Sequence, residues 1–173
     1  MIYTNIGSPL GEITAAAEDN ALTGLWFAGQ KYYPSETDAW VYAPEQPVFI
    51  KLRDWLERYF EGEKNITLPD LKPKGTAFQK AIWEILLEIP YGRVTTYGEV
   101  AKKLAKSRGL LSMSAQAVGG AVGHNPISIL IPCHRVVGTG GSLTGYAGGL
   151  DKKKALLQIE QADLASGLLP DFF

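Results

Sequence analysis

Cysteine is nearly absent from this chain: Cys133 stands alone among 173 residues, and histidine occurs only twice, as His124 and His134. One cysteine cannot close an internal disulfide, and one thiol with two imidazoles is too small a ligand set for a structural zinc site. Cys133 is therefore expected to be a free thiol. Long apolar runs are missing as well, so no segment approaches bilayer-spanning length. Residues 1–10 lack the basic region and apolar core of a secretory signal. These absences make a cytoplasmic protein the expectation, and no self-complementary apolar surface stands out, so a monomer is expected. Disorder is excluded by what is present: 46% of the residues are hydrophobic and 20% charged, the balance of a chain that buries a core.

A net charge of -1 conceals a division along the chain. Residues 1–71 carry five Lys/Arg against eleven Asp/Glu, residues 72–154 carry twelve against four, and residues 155–173 carry none against three. Charge segregated in this way points the middle of the chain toward a polyanion and leaves the first part out of that contact. A solvated basic face would give the same count, so charge alone does not choose.

In the first part, short runs at 2–5, 11–17 and 21–27 are separated by Ser8-Pro9 and Asp19-Asn20, the turn chemistry of a small antiparallel meander. Val48, Leu52, Trp55, Leu56 and Tyr59 then recur at helical spacing until Gly62, which gives an amphipathic helix to cover the sheet. Residues 68–75 contain Pro69 and Pro73 without periodicity. A boundary there divides the chain into an N-terminal domain, residues 1–72, and a C-terminal domain, residues 73–173.

Past the boundary the pattern changes to short, capped helices. Thr76 with Gln79 is a capping box, and the stripe Phe78, Ile82, Ile85, Leu86, Ile89 continues until Pro90-Tyr91-Gly92. Thr96 with Glu99 opens a second helix to about Ala105. After a polar turn at 106–109, Ser112 or Ser114 caps a third helix that runs to about Gly123, before Asn125-Pro126. Two short helices across a tight turn have helix-turn-helix spacing, a signal that many helical hairpins share. Residues 127–131 are an apolar run, expected to be buried, that delivers Pro132-Cys133-His134-Arg135. Val136-Val137 then leads into residues 138–149, read as a glycine-rich hairpin, a wing whose turn is Thr139-Gly140-Gly141-Ser142. A closing helix from about Asp151 brings Leu156, Ile159 and Asp163 to one face with Glu160 beside them.

Residue types alone leave Cys133 two roles. Free cysteine is among the most buried side chains, so an inert core thiol is one of them. The other is a nucleophile, because Cys133 leaves a buried segment just before His134 and Arg135, which favour a thiolate, and faces a glycine-rich loop able to wall a pocket. His134 is open in the same way. Neighbouring side chains in an extended segment point in opposite directions, so a bent backbone or a bridging water is needed to join it to Cys133.

The string Pro132-Cys133-His134-Arg135-Val136, with residues 119–126 (GGAVGHNP) before it and residues 145–150 (GYAGGL) after it, resembles the methylated-DNA–protein-cysteine methyltransferases, or O6-alkylguanine-DNA alkyltransferases. The resemblance covers residues 76–162. It implies a small ribonuclease-H-like sheet-and-helix domain followed by a mainly helical winged helix-turn-helix domain, an α/β chain overall. It also implies a cofactor-free, single-turnover transfer of an alkyl group from O6-methylguanine in double-stranded DNA to Cys133. In that family a histidine takes the thiol proton through water while a glutamate holds the histidine; Cys133, His134 and Glu160 match those positions. Asn125 matches an asparagine beside the active-site turn, and Tyr97 a tyrosine that donates to guanine N3. The resemblance places Val136, Tyr146, Ala147 and Gly148 around the flipped base, with the carbonyls of Cys133 and Val136 on its exocyclic amine. It places Ser114, Ala115, Gln116, Gly119, Thr95, Thr96 and Arg135 on the DNA, with the third helix in the minor groove.

Two positions depart from the family pattern. Gln116 stands where an arginine commonly enters the base stack in place of the flipped nucleotide, so hydrogen-bonding capacity is kept and charge is lost. Ala147 replaces a frequent serine, which leaves the backbone amide available. Two rival functions fit parts of the same pattern. One is a cysteine hydrolase built on Cys133, His134 and Glu160, which would turn over. The other is a DNA binder without chemistry, a winged-helix regulator or an alkyltransferase-like damage sensor; such sensors usually carry tryptophan in place of the nucleophile, and Cys133 stands against that.

Overall fold

The computed structural model describes residues 1–162 and 164, which form two compact units. The first comprises Met1–Lys74 together with Pro126–Ser128; the second comprises Gly75–Asn125 and the described residues from Ile129 onward. Among the described residues no helix is long and apolar enough to cross a membrane.

The first unit is built on the meander β1 (Ile2–Ile6), β2 (Ile13–Glu18) and β3 (Ala21–Phe27), with β4 (Val41–Tyr42) added parallel to β1 in the order β3-β2-β1-β4. Asp19 and Asn20 both take left-handed φ, 52° and 59°, which matches a two-residue turn to the twist of the strands that it joins. At Gly24 a Cβ would lie 1.8 Å from the Trp26 ring, so the indole occupies the space of the missing side chain and continues into Trp40 and Tyr33. Helix α1 (Pro47–Phe60) starts on proline, whose fixed φ suits a first turn, and buries Val48, Phe49, Leu52, Trp55, Leu56 and Tyr59. The outer edge of β3 is closed twice. Leu22 exchanges hydrogen bonds with Asp70 and Lys72, and Leu25 with Pro126 and Ser128, so the edge is not left open for pairing with another chain.

The second unit packs α2 (Ala77–Leu86), α3 (Tyr97–Ser107) and α4 (Ala115–Gly123) against one another. The Thr76–Gln79 capping box forms in both directions. Helix α2 stops at Leu86 rather than at Pro90, because a proline denies helical φ/ψ to the residue before it; Ile89 is nevertheless buried in the turn beyond the helix end. The Trp83 indole donates to the Ala121 carbonyl at 2.9 Å and ties α2 to α4. Thr96 caps α3 by accepting from the Glu99 amide, but the Glu99 carboxylate turns to Lys102, so only half of that box forms. Ser114, not Ser112, caps α4.

Residues 138–149 form no hairpin. The strand β6 (Val136–Val137) pairs parallel with β5 (Thr95–Thr96), and the chain then runs into a loop with one 3-10 turn at Thr139–Gly141. Gly140, Gly141, Gly145 and Gly149 all have positive φ, a run of left-handed positions that no strand ladder accommodates. The loop is held by the Gly138 amide donating to the Ser142 carbonyl at 2.7 Å, and by Leu143 packed on Val94, Val137 and Leu157. Helix α5 (Leu150–Ile159) closes the unit with Lys153, Leu156 and Leu157 buried and Glu160 at its C-cap. Asp163, expected on one face with Leu156 and Ile159, lies outside the described residues.

Candidate active site

The apolar run before Cys133 is buried throughout, and within it Ile129 takes φ 71°. A β-branched side chain in the left-handed region is strained, and strain of this kind persists only where the surroundings over-determine it. The turn Cys133–Arg135 is 3-10, closed by the Arg135 amide on the Pro132 carbonyl. That bend removes the difficulty an extended segment would pose for bringing His134 into play beside Cys133.

Cys133 is 7% exposed. The Asn125 side-chain amide donates both to the Ile131 carbonyl at 2.8 Å and to Cys133 Sγ at 3.2 Å, fixing the sulfur from the end of α4. Burial pushes the thiol pKa up, against this hydrogen bond and the nearby Lys153 charge, both of which favour the thiolate. A thiol in this setting rests protonated and needs a base.

His134 is fully buried. Its Nε2 lies 2.6 Å from Glu160 Oε2, while Nδ1 is buried without a hydrogen-bond partner among the described residues. Burial pushes the His134 pKa down, against the raising effect of Glu160. Burial also works to raise Glu160, but His134 and Arg135 together hold its carboxyl far below the usual range. An ionised carboxylate only accepts, so the neutral imidazole carries its proton on Nε2 and presents a lone pair at Nδ1. Arg135 completes the set: Nε and Nη2 donate to the two Glu160 oxygens at 2.8 and 3.1 Å, and Nη1 donates to the Ile89 carbonyl at 2.7 Å. Glu160 additionally accepts from the Gly92 amide.

The sequence reading missed Lys153. Its Nζ donates to the carbonyls of Val136, Thr144 and Gly145 at 2.7, 2.9 and 3.2 Å, which uses all three ammonium hydrogens. Burial pushes its pKa down to about 8, against the attraction of Cys133. A signal was available, since Lys153, Leu156, Leu157 and Glu160 fall on the i, i+3, i+4, i+7 spacing of one helix face. Tyr97, the first residue of α3, donates its hydroxyl to the Thr144 carbonyl at 3.1 Å. Burial raises its pKa, and Cys133 adds to that rise.

The structure therefore brings Cys133, His134, Glu160, Asn125 and Tyr97 into one unit together with Lys153. Val136 lies in β6, its carbonyl engaged by Lys153, and Tyr146, Ala147 and Gly148 are half-buried in the glycine loop. Ser114, Ala115 and Gln116 are exposed at the start of α4. Gly119 faces the Tyr97 ring, 3.8 Å from where its Cβ would lie. Thr96 is half-buried at its cap. Two of the expected DNA contacts point inward instead: Thr95 is 1% exposed because β5 pairs with β6, and the Arg135 side chain is 13% exposed because Glu160 and the Ile89 carbonyl claim its guanidinium.

Comparison with known proteins bears on the same residues. The family description "6-O-methylguanine DNA methyltransferase, ribonuclease-like domain" matches residues 1–69, and "6-O-methylguanine DNA methyltransferase, DNA binding domain" matches residues 77–162. A methylated-DNA–protein-cysteine methyltransferase of Haemophilus influenzae is 45% identical over 163 residues, covering 93% of this chain and 87% of that one. The crystal structure of Mycobacterium tuberculosis OGT in complex with DNA superposes with a TM-score of 0.82 at 40% identity, covering 93% of each chain. An O6-methylguanine DNA methyltransferase from Methanococcus jannaschii superposes with a TM-score of 0.62 at 28% identity, covering 92% of this chain and 94% of that one. The first unit is thus the ribonuclease-like half and the second the helix-turn-helix half of a known architecture. With likeness extending over nearly its whole length and a free thiol held at the centre of the matched DNA-binding domain, the chain belongs to the methylated-DNA–protein-cysteine methyltransferase family.

Proposed function

We propose that this chain reverses DNA alkylation directly, moving the alkyl group of O6-methylguanine, and of O4-methylthymine where that lesion fits, onto Cys133 in one irreversible step without a cofactor. The observation that carries the reading is the buried pairing of His134 Nε2 with Glu160 beside a hydrogen-bonded thiol, which leaves Nδ1 as an acceptor. His134 takes the Cys133 proton at Nδ1 through a water, and the sulfur attacks the methyl carbon. The S–C bond forms as the C–O6 bond breaks, the electron pair stays on guanine, and the Tyr97 hydroxyl, turning from the Thr144 carbonyl to guanine N3, donates the hydrogen bond that spares the base a full negative charge. The imidazolium then releases its proton to solvent while the guanine takes one up at N1, so that overall the thiol's proton and the guanine's methyl exchange places.

A stacked base cannot reach a sulfur this buried, so the nucleotide is flipped out. The carbonyls of Cys133 and Val136 take its exocyclic amine, the latter through the lone pair that Lys153 does not use, while Tyr146, Ala147 and Gly148 wall the pocket. Ser114, Ala115, Gln116 and Gly119 bring α4 to the minor groove of double-stranded DNA, with Thr96 at the start of α3 nearby. Thr95 and Arg135 act inside the protein, Arg135 by positioning Glu160. Residues 1–72 serve as a ribonuclease-H-like domain and residues 73–173 as the alkyl-transfer domain, in a cytoplasmic monomer.

Intact-protein mass spectrometry after incubation with O6-methylguanine duplex tests the reading. Gain of one methyl per molecule, located on Cys133 and absent from Cys133→Ser, is expected. Repair of many lesions by each molecule, or repair by the serine variant, would refute it.

A further inference from the structure

The segment joining α3 to α4 holds an apolar side chain that the fold does not account for. Helix α3 ends in a left-handed turn at Gly109, φ 66°. There the Gly109 amide donates to the Lys106 carbonyl and the Leu110 amide to the Ala105 carbonyl at 2.8 Å. This capping motif ordinarily packs the residue after the glycine back on the helix, a role open to Leu110, which is 51% exposed. Leu111 has no such duty. It is 106% exposed, fully in water, and forgoes its burial free energy three residues before the cap of α4.

Single exposed leucines are common on protein surfaces, so the setting decides. Lys106 and Arg108 precede Leu111 on the same exposed stretch, and Ala115, Gln116 and Ala117 come after it on an exposed, small-residue start of α4. No acidic side chain occurs from residue 100 to residue 150. Cations flanking one protruding apolar side chain, beside a helix end that allows close approach, complement a duplex edge. Phosphates meet the cations, and the apolar group enters between base steps, as wedges do in minor-groove complexes. An acidic protein or a lipid surface would meet the same cations, but the segment lies within residues 77–162, which match a DNA-binding domain, and that favours the duplex.

We propose that Leu111 is a DNA-binding wedge of this chain. It presses into the base stack beside the flipped nucleotide and shares with the uncharged Gln116 the filling of the gap, while Lys106 and Arg108 hold adjacent phosphates. The proposal rests on the functional reading above in taking DNA as the substrate. Contact of this kind is apolar, so it contributes affinity that salt does not screen, whereas each phosphate contact contributes to the salt slope.

The test compares Leu111→Ser, Leu111→Met and Arg108→Ala in the full chain. Duplex affinity is read across salt concentrations, 2-aminopurine fluorescence beside the lesion reports unstacking, and single-turnover transfer is read from duplex and from free O6-benzylguanine. For Leu111→Ser the expected result is about a tenfold loss of duplex affinity and transfer with an unchanged salt slope, a lost fluorescence rise and an unchanged rate on the free base; Leu111→Met restores all of them. Arg108→Ala is expected to lower the salt slope by about one. Unaltered duplex affinity in Leu111→Ser, or a parallel loss on the free base, would overturn the wedge. Failure of the wild-type chain to take up an alkyl group from either substrate would instead sink the alkyltransferase reading, and the affinity and fluorescence measurements would still judge Leu111.

Discussion

Lys153 lies in the run Lys152-Lys153-Lys154, which reads as a solvated face, yet its ammonium is buried on three carbonyls with its pKa pushed down to about 8. Below that pH its charge favours the Cys133 thiolate; above it the charge is lost. The transfer rate is therefore expected to decline as pH rises past about 8, and Lys153→Met to abolish that decline while slowing transfer at pH 7 by about tenfold to a hundredfold, the worth of one or two pKa units at the sulfur. On the acid side, burial keeps His134 neutral below its ordinary value of 6.5, so the rate is expected to hold as pH falls through 6.5 and to drop only lower. A single-turnover pH profile reads both limbs. Glu160 bears on stability as well as on rate: its folded-state pKa is depressed, so its stabilisation is present above the ordinary value of 4.5 and fades as acid protonates it. Glu160→Gln leaves Arg135 and His134 without an anion. We expect it to cost about 3–5 kcal/mol at pH 7 by urea unfolding, a deficit that narrows below pH 4.5.

Helix α5 sets the site because it carries both Lys153 and Glu160, and its entry is Gly149, where φ is 101° and a Cβ would meet Asp151 Oδ1 at 2.7 Å. Gly149→Ala is expected to displace the first turn of α5 and to slow transfer more than it destabilises the fold. Thr76→Ala, which removes the reciprocal cap of α2, should do the reverse: a loss of about 1 kcal/mol in denaturant titration with the transfer rate unchanged. Elements of this kind are legible in the sequence. The meander, α1, and the caps Thr76, Thr96 and Ser114 depend on chemistry a few residues wide. The glycine loop is not legible, because the partner of Val136-Val137 is Thr95-Thr96, some forty residues away and invisible to local pattern. The inward turn of Arg135 and Thr95 is hidden for the same reason. Nothing near them in sequence announces Glu160, the Ile89 carbonyl or the β5–β6 pair that engages them inside the unit. The cysteine, histidine and asparagine of the site stand out through their motif, whereas Lys153 is masked by its charged neighbours.

For the molecule as a whole, the uneven charge distribution predicts how it meets DNA. With acidic residues concentrated in residues 1–71 and basic ones in residues 72–154, binding should be salt-dependent and nearly indifferent to sequence. A log–log slope of about -4.5 is expected if roughly five cations contact phosphates. Titration of duplexes of unrelated sequence at several salt concentrations checks both statements, and affinity insensitive to salt would contradict them. A different consequence comes from Pro126–Ser128, where the later chain rejoins the first unit and the Pro126 carbonyl and Ser128 amide bond to Leu25 of β3. A fragment starting at residue 73 possesses every group of the site, but the backbone that supplies the sulfur has lost its anchor just upstream. Such a fragment is expected to take up little methyl by itself and to regain uptake when residues 1–72 are added in trans and restore a partner to Pro126–Ser128, an outcome that intact-mass measurement of methyl uptake reads directly.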